Sequence, residues 1–189
     1  MDVKELFATC VDASTGVVGL VRPGDFGKPT PDTEWDVRAL ASHMLYELSW
    51  AGDILAGRTV SEVGSRYDGD LIEDDLMKSW NAARDRAMGA SREAALEEVI
   101  HLSYGDFPAR HYLIEQANDQ LIHGWDLAQG LGKAMSFDEA VARFLYEQAW
   151  PRQEELAESG LFAPVIKVAE SADIQTKLLG LYGRQEHWR

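Results

Sequence analysis

Apolar residues recur at helical spacing along most of this chain, and that periodicity constrains its fold more than any other feature. Val3, Leu6, Phe7, Cys10 and Val11 mark one face of a first helix over residues 3 to 21, ended by Arg22-Pro23-Gly24. The Gly- and Pro-rich stretch 24 to 33 predicts a loop. Thr33 with Asp36 three positions later has the form of a capping signal for a second helix, whose stripe runs through Val37, Leu40, Met44, Leu45, Leu48 and Leu55 until Gly57. Residues 58 to 70 read as loop. A third helix is expected from Leu71 to Met88, with Ile72, Leu76, Trp80, Ala83 and Ala87 inward and Gly89 after it.

Residues 97 to 104 contain a β-branched pair that permits an extended segment, and Asp106 before Pro108 resembles the cap of a fourth helix reaching Gly130. Ser136 and Glu139 form a capping-box pattern for a fifth helix carrying Phe137, Val141, Phe144 and Leu145 and interrupted near Pro151. Leu161 to Val168 looks extended, and Ile174 to Tyr182 predicts a short closing helix. With so little strand signal, the expected class is all-α, a helical bundle with short C-terminal elements. At 189 residues the prior is one domain over 1–189.

Charge and composition narrow the function classes. A formal net charge of -14 repels nucleic acid phosphates and anionic lipid surfaces, so neither is an expected partner. No apolar stretch approaches the ~20 residues of a membrane span, and the N-terminus lacks a basic region followed by an apolar run, which predicts a cytoplasmic protein. Cys10 is the only cysteine, so an internal disulfide and a Cys-rich zinc site are both excluded. Its place in an apolar helical run predicts burial rather than a nucleophilic role.

The stretch Asp119-Gln-Leu-Ile-His123 places a carboxylate and an imidazole one helical turn apart, with Cα atoms about 6 Å from each other. Such a pair can converge on one divalent metal ion if a third ligand comes from elsewhere. Of the other histidines, His187 lies at the terminus and His111 sits three turns before His123. That leaves His43 and His101, and bundles build metal sites between facing helices, so the helical His43 is the better third ligand. Two imidazoles and a carboxylate would leave coordination positions open for water or substrate. The alternative is plain: a helical wheel sets Asp119 and His123 opposite the apolar side formed by Ile114, Ala117, Leu121, Trp125 and Ala128. Either the second helix covers that face, or the pair is solvated and holds no metal.

Thr30-Pro-Asp-Thr-Glu-Trp-Asp-Val-Arg-Ala-Leu-Ala-Ser-His43 and Asp119-Gln-Leu-Ile-His-Gly-Trp-Asp-Leu-Ala128 resemble two signatures of one family. It is the metal-binding N-terminal domain of mycothiol-dependent maleylpyruvate isomerase, within the DinB/YfiT-like superfamily. Phe162 to Glu170 and Lys177 to Arg184 are similar to the close of stand-alone actinobacterial members, whereas the isomerase continues into a second domain. The resemblance implies a four-helix bundle holding a divalent metal, most often zinc, on His43, Asp119 and His123. The isomerase has Glu where Asp119 stands, which keeps the ligand type and alters its reach.

What the resemblance implies for function is activation of a low-molecular-weight thiol, mycothiol or one like it, for conjugation to a small electrophile or for thiol-assisted isomerisation. Glu47, one turn beyond His43, and Asp126, three residues after His123, could each orient a ligand histidine or move a proton, with Glu47 the candidate for the latter; an ordinary surface salt bridge is the alternative for both. Trp35 and Trp125 belong to the matched motifs, and packing is the expected role of both. A non-catalytic bundle that binds a metal or small ligand or serves as a dimeric interaction module, and a metal-assisted hydrolase, are the competing functions for the same residues.

Overall fold

The computed structural model describes residues 1–154, 163–185 and 188. The chain divides into two compact units, Met1–Lys133 and Ala134–Arg189, and the described residues are predominantly helical with one small hairpin. His187, Leu161 and Phe162 lie outside the described residues.

In the first unit, Asp2 caps helix α1 (Val3–Val18) by accepting from the N–H groups of Lys4 and Glu5. The two stretches that follow, helices α2 (Val37–Leu55) and α4 (Leu76–Glu93), start at Asp36 and Asp75 in the same way. An aspartate oxygen satisfies N–H groups that the first helical turn leaves unpaired, which is why each start falls on an Asp. Between them a single turn, α3 (Val60–Val63), is closed by a reciprocal Thr59–Glu62 capping box. A hairpin of β1 (Val99–Leu102) and β2 (Gly105–Pro108) then leads into α5 (Ala109–Gly130).

Helix α1 lies along α5 and α2 along α4, while α2 also meets α5 and α1 meets α4. Leu6, Phe7, Leu40, Met44, Leu48, Trp80, Leu113 and Leu121 fill the space between them, each contributing about 1.5–3 kcal/mol by leaving water. Two polar contacts fix the register of this core. The Trp80 indole donates to Thr15 Oγ1 at 2.8 Å, and buried Ser14 donates to the Gln120 carbonyl at 2.6 Å. Flanked by α1 and α2, α5 is buried on nearly every side from Gln116 to Ala128. This meets the condition the helical wheel set, since α2 covers the face that carries Asp119 and His123.

In the second unit, Asp138 caps α6 (Glu139–Ala149), which runs into a 3-10 turn at Trp150–Arg152, and Asp173 caps α7 (Ile174–Leu181). Helices α6 and α7 pack together. The Gln175 side chain accepts from the Phe137 N–H and donates to the Met135 carbonyl, tying α7 to the entry of α6.

Several boundaries differ from those the sequence predicts. The cap of α2 is Asp36, not Thr33, and the cap of α6 is Asp138, not Ser136. Helix α4 starts at Leu76 rather than Leu71, because Asp75 supplies the cap, and it runs through Gly89 instead of stopping there. Asp106 does not cap α5: it lies in β2 opposite His101, whose Nδ1 it meets at 2.7 Å. The extended reading of 161 to 168 yields no strand among its described residues. None of the described helices is long and apolar enough to cross a membrane.

Candidate metal centre

His43 projects from α2, and Asp119 and His123 project from one side of α5. Packing of α2 on α5 brings the three together although about eighty residues separate the first from the others. His43 and Asp119 keep 23% and 22% of their side chains exposed, and His123 keeps 10%. The Nε2 atoms of both histidines face Asp119 Oδ1, at 3.7 Å for His43 and 3.4 Å for His123. Asp119 Oδ2 is buried with no hydrogen-bond partner.

These separations bear on what the cluster can hold. Hydrogen-bonded nitrogen and oxygen sit about 2.7–3.2 Å apart. By tetrahedral geometry, two ligands on one zinc ion with bonds of about 2.0–2.2 Å lie about 3.3–3.5 Å apart. Both contacts are longer than hydrogen bonds and close to ligand-to-ligand spacing. One ligand atom from each of the three residues falls within a mutual 4.8 Å, a mixed N/O set that suits a divalent ion. The residues present therefore fit a metal.

In the absence of such an ion, Asp119 and His123 shift each other's titration. Burial pulls the His123 imidazole down, but the Asp119 carboxylate facing it, with Asp126 behind, pushes it up to about 10. Burial likewise pushes the Asp119 carboxyl up, yet His123 and then His43 hold it well below the usual carboxylate range.

Three further side chains surround the site histidines. Asp126, wholly buried, places Oδ2 3.2 Å from His123 Nδ1, so that the ring's other nitrogen is left facing Asp119. A carboxylate in this position fixes the orientation of a ligand histidine and strengthens it as a base. Asp32 lies close to the same pair, forming a second acidic cluster with His123 and Asp126. Trp35 stacks on His43 with ring centroids 4.3 Å apart and leans on His123 at 5.6 Å, walling the site on the loop side. Its expected packing role is thus exercised against the site histidines, whereas Trp125 is buried within the core.

Glu47 lies one turn beyond His43 and accepts from Gln116 Nε2 at 2.8 Å. Burial raises its carboxyl above the ordinary range and the Asp119 charge raises it further, against the lowering by Gln116 and the two histidines. Gln120, fully buried, donates to the Met44 carbonyl at 3.2 Å. Gln116 and Gln120 were not singled out by sequence reasoning. Their signal is a run of polar residues at 116, 119, 120 and 123, a second stripe on a helix that also carries an apolar one. His101 is on the hairpin and His111 pairs with Glu115 at 3.0 Å, so neither joins the cluster.

Residues 7–128 match the family model described as the mycothiol maleylpyruvate isomerase N-terminal domain. The chain belongs to that family. Proteins from two strains of Mycobacterium tuberculosis, both described as uncharacterized, are each 26% identical to it over 132 residues, spanning 69% of this chain and 68% of theirs. Among solved structures, it is similar to mycothiol-dependent maleylpyruvate isomerase, with a TM-score of 0.63 at 17% identity over 85% of this chain and 73% of that one. A histidine-to-alanine mutant of the same enzyme gives a TM-score of 0.64 at 16% identity, over 84% and 71%. The fold of that enzyme and the fold of this chain are alike.

Proposed function

We propose that this chain is a metal- and thiol-dependent enzyme, a DinB/YfiT-type four-helix bundle in which His43, Asp119 and His123 hold a divalent cation, zinc by preference. Its reaction is transfer or conjugation of a low-molecular-weight thiol, mycothiol or one like it, to a small electrophile, or isomerisation through reversible thiol addition. We place it in the cytoplasm. The observation that carries the reading is the pair of contacts at 3.4 and 3.7 Å from two Nε2 atoms to one carboxylate oxygen whose neighbour is buried and unpartnered. Membership of the family supports the thiol.

A divalent cation in this position lowers the pKa of a thiol, supplying a nucleophile at neutral pH where a free thiol of pKa about 8.5 is mostly protonated. The chain's own residues do the rest. Asp126 keeps the His123 ring turned so that Nε2 is presented to the site. Trp35 shields both imidazoles from water on one side. Glu47, its carboxyl raised by burial and its Oε2 anchored by Gln116, takes the thiol proton and returns it to the α-carbon, which carries the negative charge once sulfur has added to the β-carbon. Buried Cys10, whose thiol burial pushes up to about 12, takes no part.

The test compares mycothiol consumption in the presence of an electrophile by zinc-loaded protein, chelated protein, His43→Ala and Asp119→Ala, with metal content measured on each. The reading requires near-stoichiometric zinc in the wild type, its loss in both variants, and thiol consumption that follows zinc. Stoichiometric zinc that raises the melting temperature with no thiol consumed would assign a non-catalytic metal-binding module. Turnover of an ester or amide independent of thiol would assign a hydrolase.

A further inference from the structure

His43 has a second role in the fold, because it also lines an open cleft of about 670 Å³ running between the start of α2 and the loop before α4. Its walls are aromatic: Trp35 at one side, Tyr46 and Tyr67 at the other. Three carboxylates, Asp36, Asp68 and Asp70, line the cleft as well. Arg38 is the only Lys or Arg among the described lining residues, and it is already committed. Its Nε and Nη2 meet Asp70 Oδ2 at 2.7 and 2.6 Å, Nη2 also donates to the Ile72 carbonyl, and the guanidinium lies over the Phe26 ring. Asp36 is turned partly to the α2 N-terminus, where it accepts from Ala39. The Asp68 carboxylate is exposed, and its charge acts on Tyr46 across the cleft.

This charge balance bears on what reaches the metal centre. Two neutral imidazoles and one carboxylate leave a divalent ion with a single net positive charge, and a bound thiolate cancels it. An anionic substrate would then approach a neutral centre through a cleft of net negative charge. A dicarboxylate such as maleylpyruvate would need an uncommitted cation, and the described lining offers none.

Building on the thiol-dependent reading above, we propose that the cleft between Trp35, Tyr46 and Asp68 is the electrophile site and that it selects a planar conjugated carbonyl compound lacking carboxylate groups. The aromatic walls accept a flat unsaturated body, and Asp36 and Asp68 repel anions while tolerating neutral or cationic substituents. Ser42 lines the cleft, and its Oγ, which accepts from the Leu71 N–H, can turn its hydroxyl proton to a carbonyl oxygen there. Addition of the thiol forms a carbon–sulfur bond at the β-carbon of the electrophile, and the thiol proton ends on its α-carbon, so no oxidant or reductant is required.

Dimethyl maleate and maleate make a matched pair of probes, sharing a planar cis-alkene and differing in charge. Binding to the zinc-loaded protein is followed by quenching of tryptophan fluorescence, with Trp35→Phe as the control that assigns the signal to the cleft, and thiol consumption is measured separately. The expected result is dimethyl maleate binding about tenfold or more tighter than maleate at low salt, a gap that narrows as salt screens the carboxylates. Asp68→Asn should tighten maleate about threefold and narrow the gap between the two probes, and Asp68→Lys should narrow it further. Maleate binding as tightly as its ester, or failure of both probes to bind, would overturn the proposal. Preferential binding of the ester without thiol consumption would instead defeat the catalytic reading and leave the cleft's selectivity standing. Thiol consumption with a preference for maleate would do the reverse.

Discussion

Loading a metal onto this site should release a proton, and the pH dependence of binding follows. In the metal-free fold His123 is pushed up to about 10 against an ordinary value of 6.5, so between those limits it is a cation whose proton must leave before Nε2 can coordinate. Asp119 is held below the usual carboxylate range, so it is already ionised and contributes no proton there. His123 alone thus makes the apparent affinity rise about tenfold per pH unit, about 1.4 kcal/mol, from about pH 6.5 toward pH 10. Stability of the metal-free protein runs the other way. A folded pKa raised above the unfolded one stabilises fully below about pH 6.5, and that stabilisation is lost as pH climbs to about 10. Isothermal titration of zinc between about pH 7 and pH 8, in buffers of different ionisation enthalpy, should count close to one proton released from the protein per ion. An affinity that does not change across that interval, with no proton released, would refute the assignment of His123 as a ligand.

Other outcomes follow from the same geometry. Asp126→Asn should weaken zinc binding by about 10- to 100-fold in a chelator competition while the circular dichroism spectrum is unchanged, since Asp126 acts through His123 Nδ1. Leu121→Ala in the buried face of α5 should cost about 2–5 kcal/mol in urea denaturation. Cys10 should resist thiol-modifying reagents in the folded protein near pH 8 and react on unfolding, and Cys10→Ala should keep any thiol-dependent turnover.

The long helices were legible because each long apolar stripe has the period of a helix, but their starting residues were not. Where Thr33 competes with Asp36, or Ser136 with Asp138, every candidate can cap, and the loop geometry selects the aspartate in each case. Gly89 was read as a stop, yet a glycine with no terminating partner is simply carried inside α4. The second strand of the hairpin opens on Gly105 at a φ of 150°, a conformation that nothing short of the structure assigns. In the site, the Asp119–His123 spacing could be read directly. Convergence with His43 depends on α2 covering α5, which local periodicity cannot state. Trp35 was legible as an aromatic near the motif but not as a ring stacked on His43, since a loop fixes its position. Gln116 and Gln120 were hidden because a helix buried all round blurs the contrast between its faces.

The most direct test is anomalous X-ray diffraction from crystals grown with zinc, collected on both sides of the zinc absorption edge. A single peak bonded to His43 Nε2, His123 Nε2 and an Asp119 carboxylate oxygen, at about 2.0–2.2 Å from each, is the predicted result. A peak elsewhere, or none beside a His123 whose Nε2 still faces Asp119, would contradict the metal centre on which the account rests.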